Sequence, residues 1–93
     1  MTYIWDLDPD REWQWDKDPL VFYAHRPGGK PEYYAVHYGY GRQVVLMRGS
    51  MCRGVELASW FTNAGTVREG LDEALKHMPF PVEVEKLSTL WGR

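Results

Sequence analysis

Residues 66–78, TVREGLDEALKHM, decide the fold of this chain, because they form its most clearly marked helical segment. Thr66 and Glu69 have the spacing of a capping box. In that motif the threonine hydroxyl accepts from the backbone N–H of the glutamate, and the glutamate carboxylate accepts from the backbone N–H of the threonine. Pro79 ends the helix, because proline lacks an N–H donor and disfavours helical angles in the residue before it. The sequence therefore predicts a helix over residues 67–78.

The apolar residues of this helix lie on one stripe, as in a helix that is buried along one side. The stripe consists of Val67, Leu71, Ala74, Leu75 and Met78. The remaining surface includes opposite charges at i,i+4 spacing, which is typical of a solvated face. That face carries Arg68, Glu69, Asp72, Glu73 and Lys76. Because most of the preceding chain has the pattern of strands, we expect the apolar stripe to pack on a sheet.

The sequence of residues 20–48 predicts three consecutive strands. Segments rich in β-branched and aromatic residues alternate there with glycine- and proline-rich turns. The predicted strands are 20–26, 33–38 and 43–48, with turns at 27–31 and 39–41. Strands joined by such short turns pair antiparallel, so the sequence predicts an antiparallel meander.

The segments after the meander have weaker patterns. Residues 54–61, GVELASWF, alternate as a strand would, and strand is the favoured interpretation; a helix capped by Gly65 is the alternative. Residues 82–86 follow a proline and carry charges at alternate positions, which favours an edge strand. A closing helical turn is predicted from the spacing of Leu87, Leu90 and Trp91.

The first nineteen residues predict a short strand and an ordered loop. Residues 2–7 alternate in polarity, as a strand with one apolar face does. Residues 8–19 begin and end at Asp-Pro turn signals. We expect the rings of Trp13 and Trp15 to hold this loop against the rest of the chain.

Together these elements predict an α+β fold: an antiparallel sheet of four to five strands, with the helix at about 67–78 packed on one face. We expect residues 1–93 to form a single domain. The predicted core adds seven sheet residues to the helix stripe, and a one-residue error in a strand's alternation would exchange its faces. Those sheet residues are Phe22, Val36, Val45, Met47, Val55, Leu57 and Phe61.

Charge is unevenly distributed along the chain. The formal net charge is −2, but residues 1–19 carry −4, residues 20–54 carry +4 and residues 55–93 carry −2. Cys52 is the only cysteine, so an intramolecular disulfide is excluded and a reducing compartment is favoured. The first residues lack a basic, apolar signal sequence, and no segment is apolar enough to span a membrane. The sequence therefore predicts a soluble, cytoplasmic protein without membrane association.

The residues that most often carry chemistry do not form a known catalytic or metal-binding pattern. Asp6, Asp8 and Asp10 have the spacing of the first calcium-loop ligands, but the glycine and the glutamate that complete such a loop are absent. No histidine or cysteine pair has zinc-site spacing; the candidates are His25, His37, His77 and Cys52. We therefore expect no enzyme activity, no metal and no cofactor.

The best functional signal is the combination of cations and aromatic rings. The basic middle of the chain carries many tyrosines, the start of the chain is acidic with two tryptophans, and protein interfaces are enriched in Tyr, Trp and Arg. We expect a small non-enzymatic binding protein that masks or modulates a larger protein partner. Short phage and mobile-element proteins that inhibit host machinery, such as defence systems, offer an analogy in size and composition. The predicted partner-binding residues are Tyr33, His37, Tyr40, Arg42, Arg48, Asp8, Asp10, Trp13 and Trp15.

An alternative hypothesis is nucleic-acid binding by the basic, tyrosine-rich meander. Single-stranded nucleic acid is often held by cations that contact phosphates and by aromatic rings that stack on bases. The candidate cations are Arg26, Lys30, Arg42, Arg48 and Arg53. Acidic residues outnumber basic ones in the whole chain, which makes this the second choice.

Overall fold

A computed structural model describes residues 4–5, 8–49 and 54–88 of the chain. They form one sheet and one helix, and the predicted α+β class is confirmed. The strands are β1 (Ile4–Trp5), β2 (Leu20–His25), β3 (Glu32–Tyr40), β4 (Gln43–Arg48), β5 (Val55–Phe61) and β6 (Glu83–Ser88), and the helix is α1 (Val67–His77). In space the strands follow the order β1-β6-β2-β3-β4-β5.

The meander of β2, β3 and β4 is antiparallel, as predicted. Each of its turns contains a glycine with positive φ, Gly28 at 75° and Gly41 at 61°, where a side chain would be strained. β5 continues the antiparallel arrangement beyond β4, so residues 54–61 contain a strand and the helical alternative is wrong. The helix packs on one face of the sheet to which these four strands belong.

The helix begins at the predicted capping box. Thr66 accepts from the backbone N–H of Glu69 at 3.2 Å, and Glu69 accepts from the backbone N–H of Thr66 at 3.1 Å. α1 ends at His77, with Met78 in extended conformation before Pro79. The helix therefore ends one residue before the predicted boundary at residue 78.

The core lies between α1 and one face of the sheet. Val67, Leu71 and Ala74 of the predicted stripe are buried there, while Leu75 and Met78 are half-buried at its border. On β2 and β3 the predicted core residues Phe22 and Val36 are confirmed. They are joined by the ring of Tyr34, which stacks on Phe22 with ring centroids 5.4 Å apart.

The predicted core was wrong on β4 and at both ends of β5. Val44 and Leu46 are the buried β4 residues, whereas Val45 and Met47 belong to the opposite face and are half-buried. Val55 and Phe61 are exposed, while Leu57 packs at the border of the core. The alternation was assigned one residue out of step on β4, and a bulge interrupts it on β5 opposite Leu46 and Met47.

β6 lies between β1 and β2. It pairs antiparallel with β2, and β1 pairs in parallel with its residues Lys86 and Leu87. Residues 82–86 thus contain a strand, as predicted, but it is not the edge of the sheet, because β1 lies outside it. The five antiparallel strands match the predicted number, and β1 adds a two-residue parallel strand. Leu87 is buried in β6, so the predicted helical turn is wrong at this residue; Leu90 and Trp91 lie outside the described residues.

The loop of residues 8–19 is attached to the helix by Trp13. Its indole is 2% exposed and lies against Gly70 of α1, where an added Cβ would come within 2.5 Å of the ring. The indole N–H donates to the carbonyl of Asp18 at 3.0 Å, and the backbone N–H of Trp13 donates to Gly65. The predicted role of this tryptophan in holding the loop is confirmed, and Gly70 is the residue that admits the ring.

Glu73 is half-buried and links α1 to the end of β5, although the sequence pattern assigned it to a solvated face. One carboxylate oxygen accepts from the indole of Trp60 at 2.9 Å and from the hydroxyl of Thr62 at 2.7 Å. The other accepts from the backbone N–H of Asn63 at 3.0 Å. Burial acts to raise the pKa of Glu73, but these three hydrogen bonds and the nearby His77 outweigh it and lower the pKa from 4.5.

Candidate protein-binding surface

The most exposed large side chains lie at the end of the sheet where β3 turns into β4. Tyr40 is 82% exposed, and Phe61 is 73% exposed. Both are cross-strand neighbours of Gln43, Tyr40 from β3 and Phe61 from β5, so they lie on the same face of the sheet. Neighbouring strands are about 4.8 Å apart, which places the two backbones about 10 Å apart with one strand between them.

A second group of side chains lies at the same end of the sheet, on the helix side. The rings of Trp15 and Tyr38 are tilted at 52°, with centroids 5.7 Å apart. The guanidinium of Arg42 lies 5.0 Å from the Trp15 ring centroid and donates to the carbonyl of Thr62 at 2.8 Å. The strand hairpin and the 8–19 loop therefore hold these three side chains in a defined arrangement.

Beside this group the surface forms a groove of about 430 Å³. One wall is the loop of residues 15–19, and the other is formed by His37 and Tyr38. His37 is half-buried: its Nε2 lies 3.0 Å from the sulfur of Met47 and its Nδ1 lies 3.0 Å from the carbonyl of Tyr38. The groove gives the aromatic end of the sheet a concave border.

We call the six side chains at this end of the sheet the hairpin-end surface. It contains two aromatic residues on the face away from the helix, a tryptophan–tyrosine–arginine group on the helix side, and a histidine that borders the groove. The members are Trp15, His37, Tyr38, Tyr40, Arg42 and Phe61. Four of the predicted partner-binding residues are brought together here: Trp15, His37, Tyr40 and Arg42.

The other predicted partner-binding residues lie elsewhere. Tyr33 packs against Tyr23, with ring centroids 4.7 Å apart, near the opposite end of β3, and Arg48 is paired with the next residue of that strand. Asp8 accepts from the backbone N–H of Asp10 at 3.0 Å, a local turn contact. Asp10 accepts from Arg68 of α1 at 3.1 Å. Trp13 is a core residue, so the hairpin-end surface does not include it.

The described cations of the meander do not form one patch. Arg26 and Lys30 lie in the turn before β3, and Arg42 lies in the turn after it. β3 has nine residues, so these turns are about 30 Å apart. Arg26 stacks on Phe80, with its guanidinium 3.5 Å from the ring centroid. Arg53 lies outside the described residues.

The candidate metal ligands are likewise dispersed. In the register of β2 and β3, His25 lies beyond the pair of Ala24 with Glu32, whereas His37 lies beyond the pair of Leu20 with Val36. The two histidines are therefore at opposite ends of the strand pair and do not meet. His25 instead contacts Glu85 at 2.7 Å and Glu83 at 3.1 Å. In the described ranges no group of three or more His, Cys, Asp or Glu side chains is arranged so that it could hold a metal ion, and Cys52 lies outside those ranges.

Two members of the hairpin-end surface were not predicted to bind a partner. Phe61 was placed in the core because its apolar character fits an alternating strand. Tyr38 shares the helix side of β3 with Val36, but the sheet extends past the end of the core there. Phe61 is the last residue of β5 and Tyr38 lies two residues before the end of β3, and this position near a strand end is the sequence signal that could have marked them.

Comparisons with known proteins find no family model, no curated protein and no solved structure that matches this chain. In the described part of the chain, no helix is both long and apolar enough to cross a membrane. The arrangement of side chains on the surface is therefore the basis for any functional proposal.

Proposed function

We propose that this protein is a non-enzymatic binding protein, and that it masks or modulates a larger protein partner through the hairpin-end surface. The observation that carries the proposal is the exposure of Tyr40 and Phe61 beside the held group of Trp15, Tyr38 and Arg42. Tryptophan, tyrosine and arginine are the residues that dominate binding energy at protein interfaces. The sequence-based analogy with mobile-element inhibitors extends the proposal to a partner within host machinery.

The rigidity of the surface supports this proposal. Arg42 is held by the carbonyl of Thr62 and by the ring of Trp15, and Trp15 in turn packs against the core. Side chains that are already ordered lose less conformational entropy on binding than mobile ones. Tyr40 and Phe61 extend from paired strands, so their backbones are also positioned before a partner arrives.

The alternative of nucleic-acid binding receives less support from the described surface. A track for single-stranded nucleic acid needs cations along a continuous row of rings. Here the cationic turns are separated by the length of β3, and two of the arginines, Arg26 and Arg42, already stack on protein rings. At the centre of the face away from the helix the paired residues are Val21 and Ala35, which are buried and offer no ring on which a base could stack.

The proposal is tested by capture from host lysate with the immobilised full chain, before and after nuclease treatment. We expect a stoichiometric protein that survives nuclease and is lost with Tyr40→Ala or Phe61→Ser. Both side chains are exposed, so neither change should unfold the protein. Lys30→Ala, an exposed change in the opposite turn, is the matched control and should retain the partner.

Two outcomes would overturn the proposal. One is the absence of a stoichiometric protein in every capture, and the other is equal retention by the wild type and the surface variants. Titration with single- and double-stranded oligonucleotides tests the alternative of nucleic-acid binding. Micromolar binding that weakens steeply with added salt would favour nucleic acid.

A further inference from the structure

β5 forms one end of the sheet. It is seven residues long, and β4 is the one strand that pairs with it in the described part of the chain. A strand in this position presents a row of backbone donors and acceptors that can pair with another extended chain. Proteins commonly blunt such an edge with proline or lysine, and the sequence of β5, VELASWF, contains neither.

The hydrogen-bond pattern identifies which backbone groups face outward. The N–H of Thr62 donates to the carbonyl of Arg42 at 3.0 Å, and Trp60 is paired with Val44 on β4. In an antiparallel pair, alternate residues point their backbone groups to the same side. The N–H and C=O groups of Ser59 and Phe61, which fall between these positions, therefore point away from β4.

The two ends of β5 carry exposed apolar side chains. Phe61, at one end of the strand, is a member of the hairpin-end surface, and Val55, at the other end and on the opposite face, is 54% exposed. Large apolar side chains exposed on an edge strand are typical of strands that receive a partner. The edge is therefore continuous with the surface to which the protein-binding function is assigned above.

The charge beside this edge indicates the kind of strand that fits. On the helix side, a groove of about 250 Å³ lies between α1 and the chain that leaves β5. Three carboxylates and one amine line it: Glu69, Asp72, Glu73 and Lys76. At the end of β5 nearest this groove, an added strand would thus meet the Phe61 ring on the face away from the helix and the acidic groove on the helix side.

We propose that the partner contributes an extended segment that adds to the sheet beside β5. Alternate side chains of that segment are apolar and pack beside Phe61, and the intervening ones are basic and face the acidic groove. Strand addition is an established mode of peptide recognition, in which backbone hydrogen bonds supply affinity and alternate side chains supply specificity. This inference rests on the proposed protein-binding function and names the chemistry of the partner segment.

The test uses a capped eight-residue peptide of alternating lysine and valine, added to the isotope-labelled full chain and followed by amide NMR. We expect the amide signals of Ser59 and Phe61 to shift and to become protected from hydrogen exchange. A peptide with N-methyl groups on alternate residues cannot pair along its edge, and a glutamate–valine peptide reverses the charge. Each should bind at least about tenfold more weakly, because each loses two or more favourable contacts.

Equal binding of the N-methylated peptide would overturn the inference, as would unchanged Ser59 and Phe61 signals at millimolar peptide. Ser59→Pro removes an outward N–H while leaving the donors that face β4, and it should abolish peptide binding. Retained dispersion of the other amide signals establishes that this variant is folded. If Ser59→Pro keeps the partner captured from lysate while Tyr40→Ala loses it, strand addition fails and the proposed function stands. If both variants keep the partner, both proposals fail.

Discussion

Glu73 offers a sharp test of how the helix is attached to the sheet, through the substitution Glu73→Gln. The glutamine keeps one oxygen that can accept from Trp60 and Thr62, but these bonds lose their charge. Its amide group also faces the N–H of Asn63, so that bond is replaced by two opposed donors. Hydrogen bonds to charged groups contribute about 1.5–3 kcal/mol each and roughly half of that when neutral.

We therefore expect Glu73→Gln to lower the free energy of unfolding by about 2 kcal/mol at pH 7. For a domain of this size that loss lowers the Tm by roughly 8–16 °C. Urea and thermal unfolding followed by circular dichroism measure both quantities. Asp72→Asn removes the same charge from the neighbouring exposed position and is the matched control. It should change the free energy of unfolding by less than about 0.5 kcal/mol.

The direction of the Glu73 pKa shift determines how this contribution to stability changes with pH. The pKa of Glu73 is lower in the folded protein than its ordinary value of 4.5, so the unfolded state binds the proton more readily. The stabilisation is therefore complete above about pH 5.5 and is lost as the pH falls below 4.5 and through the folded pKa. The difference between the wild type and Glu73→Gln should shrink over that interval. The role assigned to this carboxylate would be refuted if the wild type and Glu73→Gln had the same free energy of unfolding at pH 7. It would also be refuted if their difference were the same at pH 7 and pH 3.

Four further substitutions test the packing and capping of α1, each measured by urea unfolding. Gly70→Ala should destabilise by about 1–2 kcal/mol, although alanine favours helix, because its methyl group would overlap the ring of Trp13; a stability gain would contradict that contact. Leu71→Ala should lower the free energy of unfolding by about 2–5 kcal/mol, and Leu75→Ala should lower it clearly less, because Leu71 is fully buried and Leu75 is half-buried. Equal losses would contradict this difference in burial. Thr66→Ala should cost about 1 kcal/mol through loss of the helix cap, and no change would show that the capping box contributes nothing.

Local sequence was sufficient to predict most of the secondary structure. The start and end of α1 depend on contacts between residues no more than a few positions apart, as in the capping box of Thr66 and Glu69. The meander likewise depends on turn residues and on the β-forming segments between them. Because these interactions are local, their signals lie within short stretches of sequence.

The faces of β4 could not be predicted, because the strand is apolar on both sides. Its sequence, QVVLMR, places valine, leucine and methionine at consecutive positions, so alternation carries no information. The faces are decided by pairing with β3, which sets Val44 opposite Tyr38 and Leu46 opposite Val36. The bulge between Tyr38 and Tyr40 then sets Tyr40 opposite Gln43, on the face away from the helix that Phe61 shares.

The sequence by itself determined the helix, the meander and the abundance of aromatic and cationic residues. The tertiary structure decided which of those residues meet. Trp15, Tyr38 and Arg42 come from a loop, a strand and a turn, and they approach one another only when β3 and β4 bring their common end to the 8–19 loop. Trp13, two residues from Trp15, instead lies in the core, because Gly70 has no side chain and leaves room for the indole ring. Contacts between residues so distant in sequence depend on register and packing, which no local pattern records.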